Sequence, residues 1–214
     1  MLGFPQTTEF NKRIPKQKFY ENIEVSPALK RAFVEQIKLI YWRNKLAEST
    51  LNISPGQAVK EIEVIEIKLA QPQLDEAVLR QIDKEIPYHI LFILSCGNKV
   101  QAWTGYKEAS ESGKAAFKVN RYYHTDWMLE DELTLEIDGL NLDAVWDNFI
   151  IQVGGVELEQ GNSLDEQIAV DEHREKLIKE IKKLEKQARN EKQPNKKFEL
   201  AQRVKALKEK LNSP

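Results

Sequence analysis

The chain has 214 residues, 41% of them hydrophobic and 31% charged, with four Trp and a single cysteine, Cys96. That is enough apolar mass for one ordinary domain plus an appendage, and a lone cysteine excludes an internal disulfide and fits a reducing compartment. The start, Met1 to Gln6, lacks the basic and apolar segments of a signal peptide, and the longest apolar run, Ile90 to Leu94, is far too short to cross a bilayer; a cytoplasmic protein without membrane contact is expected.

The net charge of −2 hides strong segregation. Residues 1–121 carry 18 Lys/Arg against 14 Asp/Glu; residues 122–171 carry 13 Asp/Glu and no Lys or Arg; residues 172–214 carry 14 Lys/Arg and 7 Glu. Such blocks are either solvated faces or surfaces that meet a partner of opposite sign.

Along the chain, Leu2 to Ile23 reads as extended or irregular, punctuated by Pro5 and Pro15, with one short helical turn around Thr8 to Lys16. Ser26-Pro27 is a helix start, with Ser as N-cap and Pro at the first helical position. Leu29, Phe33, Ile37 and Ile40 follow at helical spacing, which predicts a helix to about Leu46. After the turn Ser54-Pro55-Gly56, the residues Val59, Glu61, Glu63, Ile65, Ile67 and Leu69 alternate with a more polar set, a strand with one face better buried. Leu74, Val78, Leu79 and Ile82 give a short helix that ends before Pro87. Tyr88 to Ser95 is a continuous apolar strand, as expected at a central position, and Gly97-Asn98 turns it into a hairpin with Lys99 to Tyr106.

Cys96, at the end of that apolar run, reads as a small core residue. Lys114 to Thr125 is a further strand, Leu133, Leu135 and Ile137 alternate in a short one, and Asn141 opens a helix burying Leu142, Val145, Trp146, Phe149 and Ile150. The fold class is therefore α/β (α+β): a mixed sheet of about five strands with flanking helices over residues 1–153, and a Gly-rich linker over 154–163. Residues 164–214 follow as a charged, coiled-coil-like antiparallel helical hairpin. Its signal is the spacing of Leu177, Ile181, Leu184 and Ala188, then of Leu200, Val204, Leu207 and Leu211, broken at Gln193-Pro194-Asn195. A pair of helices this thin needs another face to pack on. The seam residues Leu177, Ile181, Leu184, Leu200, Val204, Leu207 and Leu211 are the candidate partner-binding set, and self-association is open to the same surface.

Three arrangements carry chemistry. Glu66-Ile67-Lys68 is an acidic-x-Lys pattern on one strand face, as in metal-dependent nucleases where acid and lysine hold a divalent ion and polarise water. The acid expected upstream is missing, however, with Glu61 and Glu63 only neighbouring charges, and an ordinary solvent-facing strand side accounts for the pattern. His124 and Asp126, within Tyr122 to Trp127, would serve as metal ligands or as a base and its orienting acid; no second His or Cys completes the site, so aromatic packing at a strand end is the better reading. Finally, Lys12, Arg13, Lys16 and Lys18, with Tyr20, Trp42 and the basic tail, have the basic and aromatic content that contacts phosphates and bases. There is no Gly-rich phosphate loop, CxxC pair, HExxH or Gly-x-Ser-x-Gly. No cofactor and no metal is expected.

The order of segments resembles a known family. Leu2…Pro5…Thr8, Asn11 to Lys16, Trp42…Lys45-Leu46…Ser49-Thr50, Ile86 to Phe92, Tyr106-Lys107, Tyr122 to Thr125 with Trp127, Gly139 to Asp143, and Glu191 to Phe198 together are similar to a family of short bacterial proteins built on a domain of unknown function. The resemblance covers nearly the whole chain. It implies an accessory gene beside helicases and DNA methyltransferases of restriction–modification and phage-defence clusters, and brings no catalytic residues with it. The expectation is a non-enzymatic accessory subunit of such a complex, contacting a helicase or methyltransferase partner, with nucleic-acid contact inside the complex. A metal-dependent nuclease using Glu66 and Lys68, or a nucleic-acid-binding module, is the alternative.

Overall fold

The computed structural model describes residues 2–21, 24–109, 117–158 and 163–211. Between two short 3-10 turns, Gln6–Thr8 and Lys16–Phe19, lies β1 (Glu9–Ile14). There follow α1 (Pro27–Gln36), β2 (Ile37–Leu46), the single turn α2 (Glu48–Leu51), β3 (Ile62–Leu69), α3 (Glu76–Glu85), β4 (His89–Cys96), β5 (Lys99–Ala109), β6 (Phe117–His124), β7 (Met128–Leu129) and α4 (Leu142–Gly154). Two helices, α5 (Leu164–Asn190) and α6 (Pro194–Leu211), complete the order. The chain divides into two units, Met1–Val156 and Glu157–Pro214.

The mixed α/β class holds, with a sheet of seven strands rather than about five. Its order is β1-β2-β3-β4-β5-β6, with β7 beside β5. Among the described residues only β3 and β4 pair as parallel strands, joined through α3, and the other strand pairs are antiparallel. One face carries α1 and α3 over a core of Phe33, Ile65, Ile67, Leu79, Ile82 and Phe92, among others. Side chains of alternate parity point to the other face, where α4 buries Val145, Trp146, Phe149 and Val153, and the edge of the His89 ring meets Trp146 at 5.0 Å. With both faces covered, β3 and β4 are buried almost throughout, so the expectation of a half-solvated β3 is corrected.

Two predicted elements change type. The helix from Ser26 ends at Gln36, and Ile37 to Leu46 is β2. The helical spacing of Ile37 and Ile40 is fortuitous: the stretch Ile-Lys-Leu-Ile-Tyr-Trp is β-branched and aromatic, and its pairing with both β1 and β3 overrides the period. The strand expected at Leu133, Leu135 and Ile137 is irregular backbone instead. Leu133 and Leu135 are buried, yet the polar backbone groups are met by side chains of α4. Gln152 donates to the Glu136 carbonyl at 3.0 Å and accepts from its N–H at 2.8 Å, and Asn148 donates to the Asp138 carbonyl at 2.9 Å. At the start, the segment read as irregular contains β1, whose bulge is opened by Asn11 in the left-handed region (φ 47°). Of the strand expected from Lys114, residues 114–116 lie outside the described residues.

The caps follow the sequence signals. Ser26 accepts from the Leu29 N–H at 3.2 Å and Asn141 from the Ala144 N–H at 3.0 Å. Asp143, in the first turn of α4, also reaches across to the loop before β3, accepting from the N–H groups of Gln57, Ala58 and Val59 at 2.6, 3.2 and 2.7 Å. Gly56 permits that approach, since a Cβ there would lie 2.1 Å from the Asp143 carboxyl.

One ion pair of the sheet domain is fully buried. Asp83 on α3 and Lys107 on β5 form an ion pair at 2.5 Å, with side chains 2% and 0% exposed. Tyr122 on β6 donates its hydroxyl to the same carboxylate, and Lys107 donates to the Tyr88 carbonyl at 2.8 Å. Burial pushes the Asp83 carboxyl up and the Lys107 amine down, each opposed by the other's charge. Replacing Asp83 by Asn or Lys107 by Met strands one buried charge and lowers the unfolding free energy by about 3–5 kcal/mol. Urea denaturation reads this as a lower midpoint, and the double variant loses clearly less than the two single losses combined.

Candidate functional site

A concavity of the sheet domain opens on the α1/α3 face, at the start of β3 and β4, with a volume of about 430 Å³. That lies in the range of small-molecule sites. Trp42, Glu63 and Ile65 from the sheet form its floor. Ile14, Lys18 and Phe19 wall one side, placed there by β1 and the 3-10 turn that follows. The segment Glu85 to Tyr88 walls the other, and the Tyr88 carbonyl is the one held by Lys107. One side of Trp42 is already covered by Phe10, ring centroids 4.1 Å apart.

Glu63 is 2% exposed, its carboxyl oxygens closed to solvent beside the Glu61 carboxylate and the Trp42 indole. Burial, with the Glu61 carboxylate alongside, pushes it up to about 9, against the weaker pull of Lys45. Burial pushes Glu61 up as well, but contact with Glu63 and the Lys45 ammonium at 2.5 Å hold it below its ordinary value. The two acids therefore divide the roles, Glu61 carrying the charge and Glu63 the proton.

The predicted nuclease pair lies elsewhere, on the α4 face. Glu66 is buried rather than solvent-facing. Arg43 grips one of its oxygens through Nε and Nη2 at 2.7 and 2.5 Å, and Ser95 donates to the other at 2.7 Å. Lys68 is 3.9 Å away and lies 5.6 Å from the centroid of the Tyr41 ring. Both oxygens thus have protein partners, an arrangement that anchors the sheet rather than presenting a free ligand. Among the described residues there is no group of three or more His, Cys, Asp or Glu that could hold a metal. His124 stacks on Trp103 at 4.4 Å, with Nδ1 2.9 Å from the Thr125 carbonyl oxygen, the aromatic strand end expected of it. His89 is buried and pushed down to about 3 by desolvation and the Lys107 charge. Cys96 packs half-buried against the core.

The N-terminal basic cluster is divided. Lys12 pairs in register with Trp42 and Arg13 with Tyr41, on opposite faces of β1, and the Lys12 ammonium sits 4.1 Å from the Phe10 ring centroid. Lys16 donates to the carbonyls of Val34 and Ile37 at 3.0 and 2.6 Å, closing the end of α1. Lys18 is exposed at the cavity rim. In the hairpin, Ile181, Leu184 and Val204 are buried with Leu200, Leu207 and Leu211 packed on them, and Leu177 is half-buried. The larger hollow there, about 730 Å³ near the turn, is an open groove lined by Lys183, Lys186, Lys196 and Arg203, a charged surface rather than an enclosed site.

A mixed α/β sheet domain followed by an antiparallel helical pair is the class of protein so defined. The chain belongs to the family of a domain of unknown function (DUF4391), whose model matches residues 2–211. No curated protein and no solved structure matches it.

The cavity's floor has a measurable signature. Above the ordinary value of a glutamate, the unfolded chain releases a proton that folded Glu63 keeps, so stability falls as pH rises toward about 9. Glu63→Gln removes this dependence. The variant matches the parent near pH 4 and gains on the order of 2 kcal/mol at pH 8, a thermal midpoint higher by about 5 °C.

Proposed function

We propose that this chain is a non-enzymatic accessory subunit of a bacterial antiviral-defence or restriction–modification complex, contacting a helicase or DNA methyltransferase through its helical hairpin. The observation that carries the reading is how the hairpin's apolar surface is used. The seam is satisfied between α5 and α6 themselves, aided by Lys208–Glu185 at 2.8 Å across the pair and by a reciprocal Ser163/Glu166 capping box at the start of α5. What remains outward is a preformed, charged surface, with twice as many basic as acidic residues over 172–214 and an exposed Phe198. A rigid basic element with an aromatic residue suits an acidic protein face, since little ordering entropy is lost on contact.

In the sheet domain, Glu66, Asp83 and Lys107 are tied into structural pairs, which supports a binding role over the nuclease alternative. The test is purification of the tagged chain from its native host at low salt, with mass spectrometry of co-purifying proteins. A helicase or DNA methyltransferase is expected with the full chain and lost when residues 164–214 are deleted. Recovery of neither with the full chain overturns the proposal, as does a partner retained by the truncated chain.

A further inference from the structure

The hairpin changes its use of charge along its length. In the middle of α5, lysines stand one turn after glutamates, Lys176 at 3.7 Å from Glu172 and Lys179 at 3.9 Å from Glu175, the order that stabilises a helix. Toward the turn the pattern stops. Residues 182–203 carry eight Lys or Arg against three Glu, and Lys182 and Lys186, one turn apart, repel each other. Lys196 and Lys197 occupy the first turn of α6, where the helix dipole favours acids and none stands. These placements cost the hairpin stability, so helix formation does not account for them.

The same cations gather around a concavity. The groove of about 730 Å³ between the end of α5 and the start of α6 is lined by Lys183, Lys186, Lys196 and Arg203, with the amides of Gln187 and Asn190. All six are exposed, and the half-buried Leu200 of the seam is the apolar part of the lining. Two carboxylates share it, Glu191 and Glu199. Glu191 accepts from the Gln193 N–H at 2.9 Å, which ties it to the loop backbone. Among the described residues no ion pair reaches the four cations. Like charges around one hollow repel one another, and a polyanion laid in the groove removes that repulsion while it releases its own counterions.

We infer that this groove binds the phosphate backbone of duplex nucleic acid. Its cations and side-chain amides are the groups that contact phosphate and sugar. Among the described residues its lining holds no aromatic side chain on which an unstacked base would lie, which favours a duplex over a single strand and gives no means of reading sequence. Seven residues separate Lys183 from Asn190, and Lys196 from Arg203, so the lining extends about 10 Å along each helix. That is room for about three steps of a strand. Duplex contact here needs no protein partner and adds to the role proposed above. Phe198, two residues beyond Lys196, lies about 200° round α6 from it, so the exposed aromatic stays open to a protein while the groove is filled.

The experiment is fluorescence anisotropy of a labelled DNA duplex of about twenty base pairs, titrated with the full-length protein at salt from about 25 to 200 mM. Micromolar binding is expected at the low end, with the logarithm of affinity falling against that of salt at a slope between about −3 and −4, as four phosphate contacts give. Lys183→Gln combined with Arg203→Gln is expected to weaken binding at least about ten-fold and to make the slope shallower by about 2. Lys176→Gln combined with Lys179→Gln removes the same charge from paired positions outside the groove, and is expected to bind within about three-fold of the parent, as is Phe198→Ala. Glutamine is a good helix former at these exposed positions, and far-UV circular dichroism checks that helix content is kept. The assay contains no protein partner, so its outcome is independent of the co-purification. Absence of binding at low salt, an equal loss in the two double variants, a slope unchanged in the groove variant, or tighter binding of a single strand or of a polyglutamate peptide than of the duplex overturns the inference.

Discussion

The Asp83–Lys107 pair ties α3, β5, β6 and the segment before β4 through one buried cluster. The parallel strand pair β3 and β4 requires a crossover, and α3 supplies it. A crossover helix packed by apolar contact alone has freedom to slide along the sheet. A carboxylate near its last turn, bonded to an ammonium from β5 and a phenol from β6, fixes both its position and its rotation. The same ammonium takes the Tyr88 carbonyl, so the segment between α3 and β4 is placed by the pair that places the helix. The wall of the Glu63 cavity is therefore a by-product of how the helix is anchored.

How much of this was legible depended on whether the information was local. Caps at Ser26 and Asn141, the Gly97-Asn98 hairpin, the buried β4 and the seam of α5 and α6 are all specified by residues within a few positions of each other, and they appear as read. The stretch Ile37 to Leu46 failed because its apolar positions satisfy two periods at once, and pairing with residues on both sides decided between them. Leu133 to Ile137 failed for the converse reason: the alternation is genuine, but side chains of α4 meet its backbone where no strand is adjacent.

The functional residues divide along the same line. Glu66 and Lys68 were visible as a motif, but the partner that occupies Glu66 lies 23 residues earlier, on a stretch assigned to a helix. Asp83 and Lys107 give no sequence signal of pairing, because nothing local distinguishes a lysine destined for burial from the many solvated ones. Glu63 did leave a trace. It stands in the alternating set with Ile65, Ile67 and Leu69, the three that line the core, and a charged residue in register with such a set is a buried polar group. Reading Glu61 and Glu63 as neighbouring charges set that parity aside.

Strand parity gives the two glutamates one face and the fold gives them different fates. Lys45, paired in register with Glu63, leans to Glu61 instead, at 2.5 Å. Had it turned the other way, Glu63 would be an ordinary ion pair. Glu61 keeps the cation, its own pKa stays low, and its negative charge reinforces the proton on Glu63. One lysine thus creates two unlike carboxyls two residues apart, a charged one at the rim of the strand and a neutral one beneath the aromatic walls. Separation of two acids by environment is how proteins obtain a hydrogen-bond donor from a carboxylate at neutral pH. In this chain that donor lies against the Glu61 carboxylate, whose value the contact lowers.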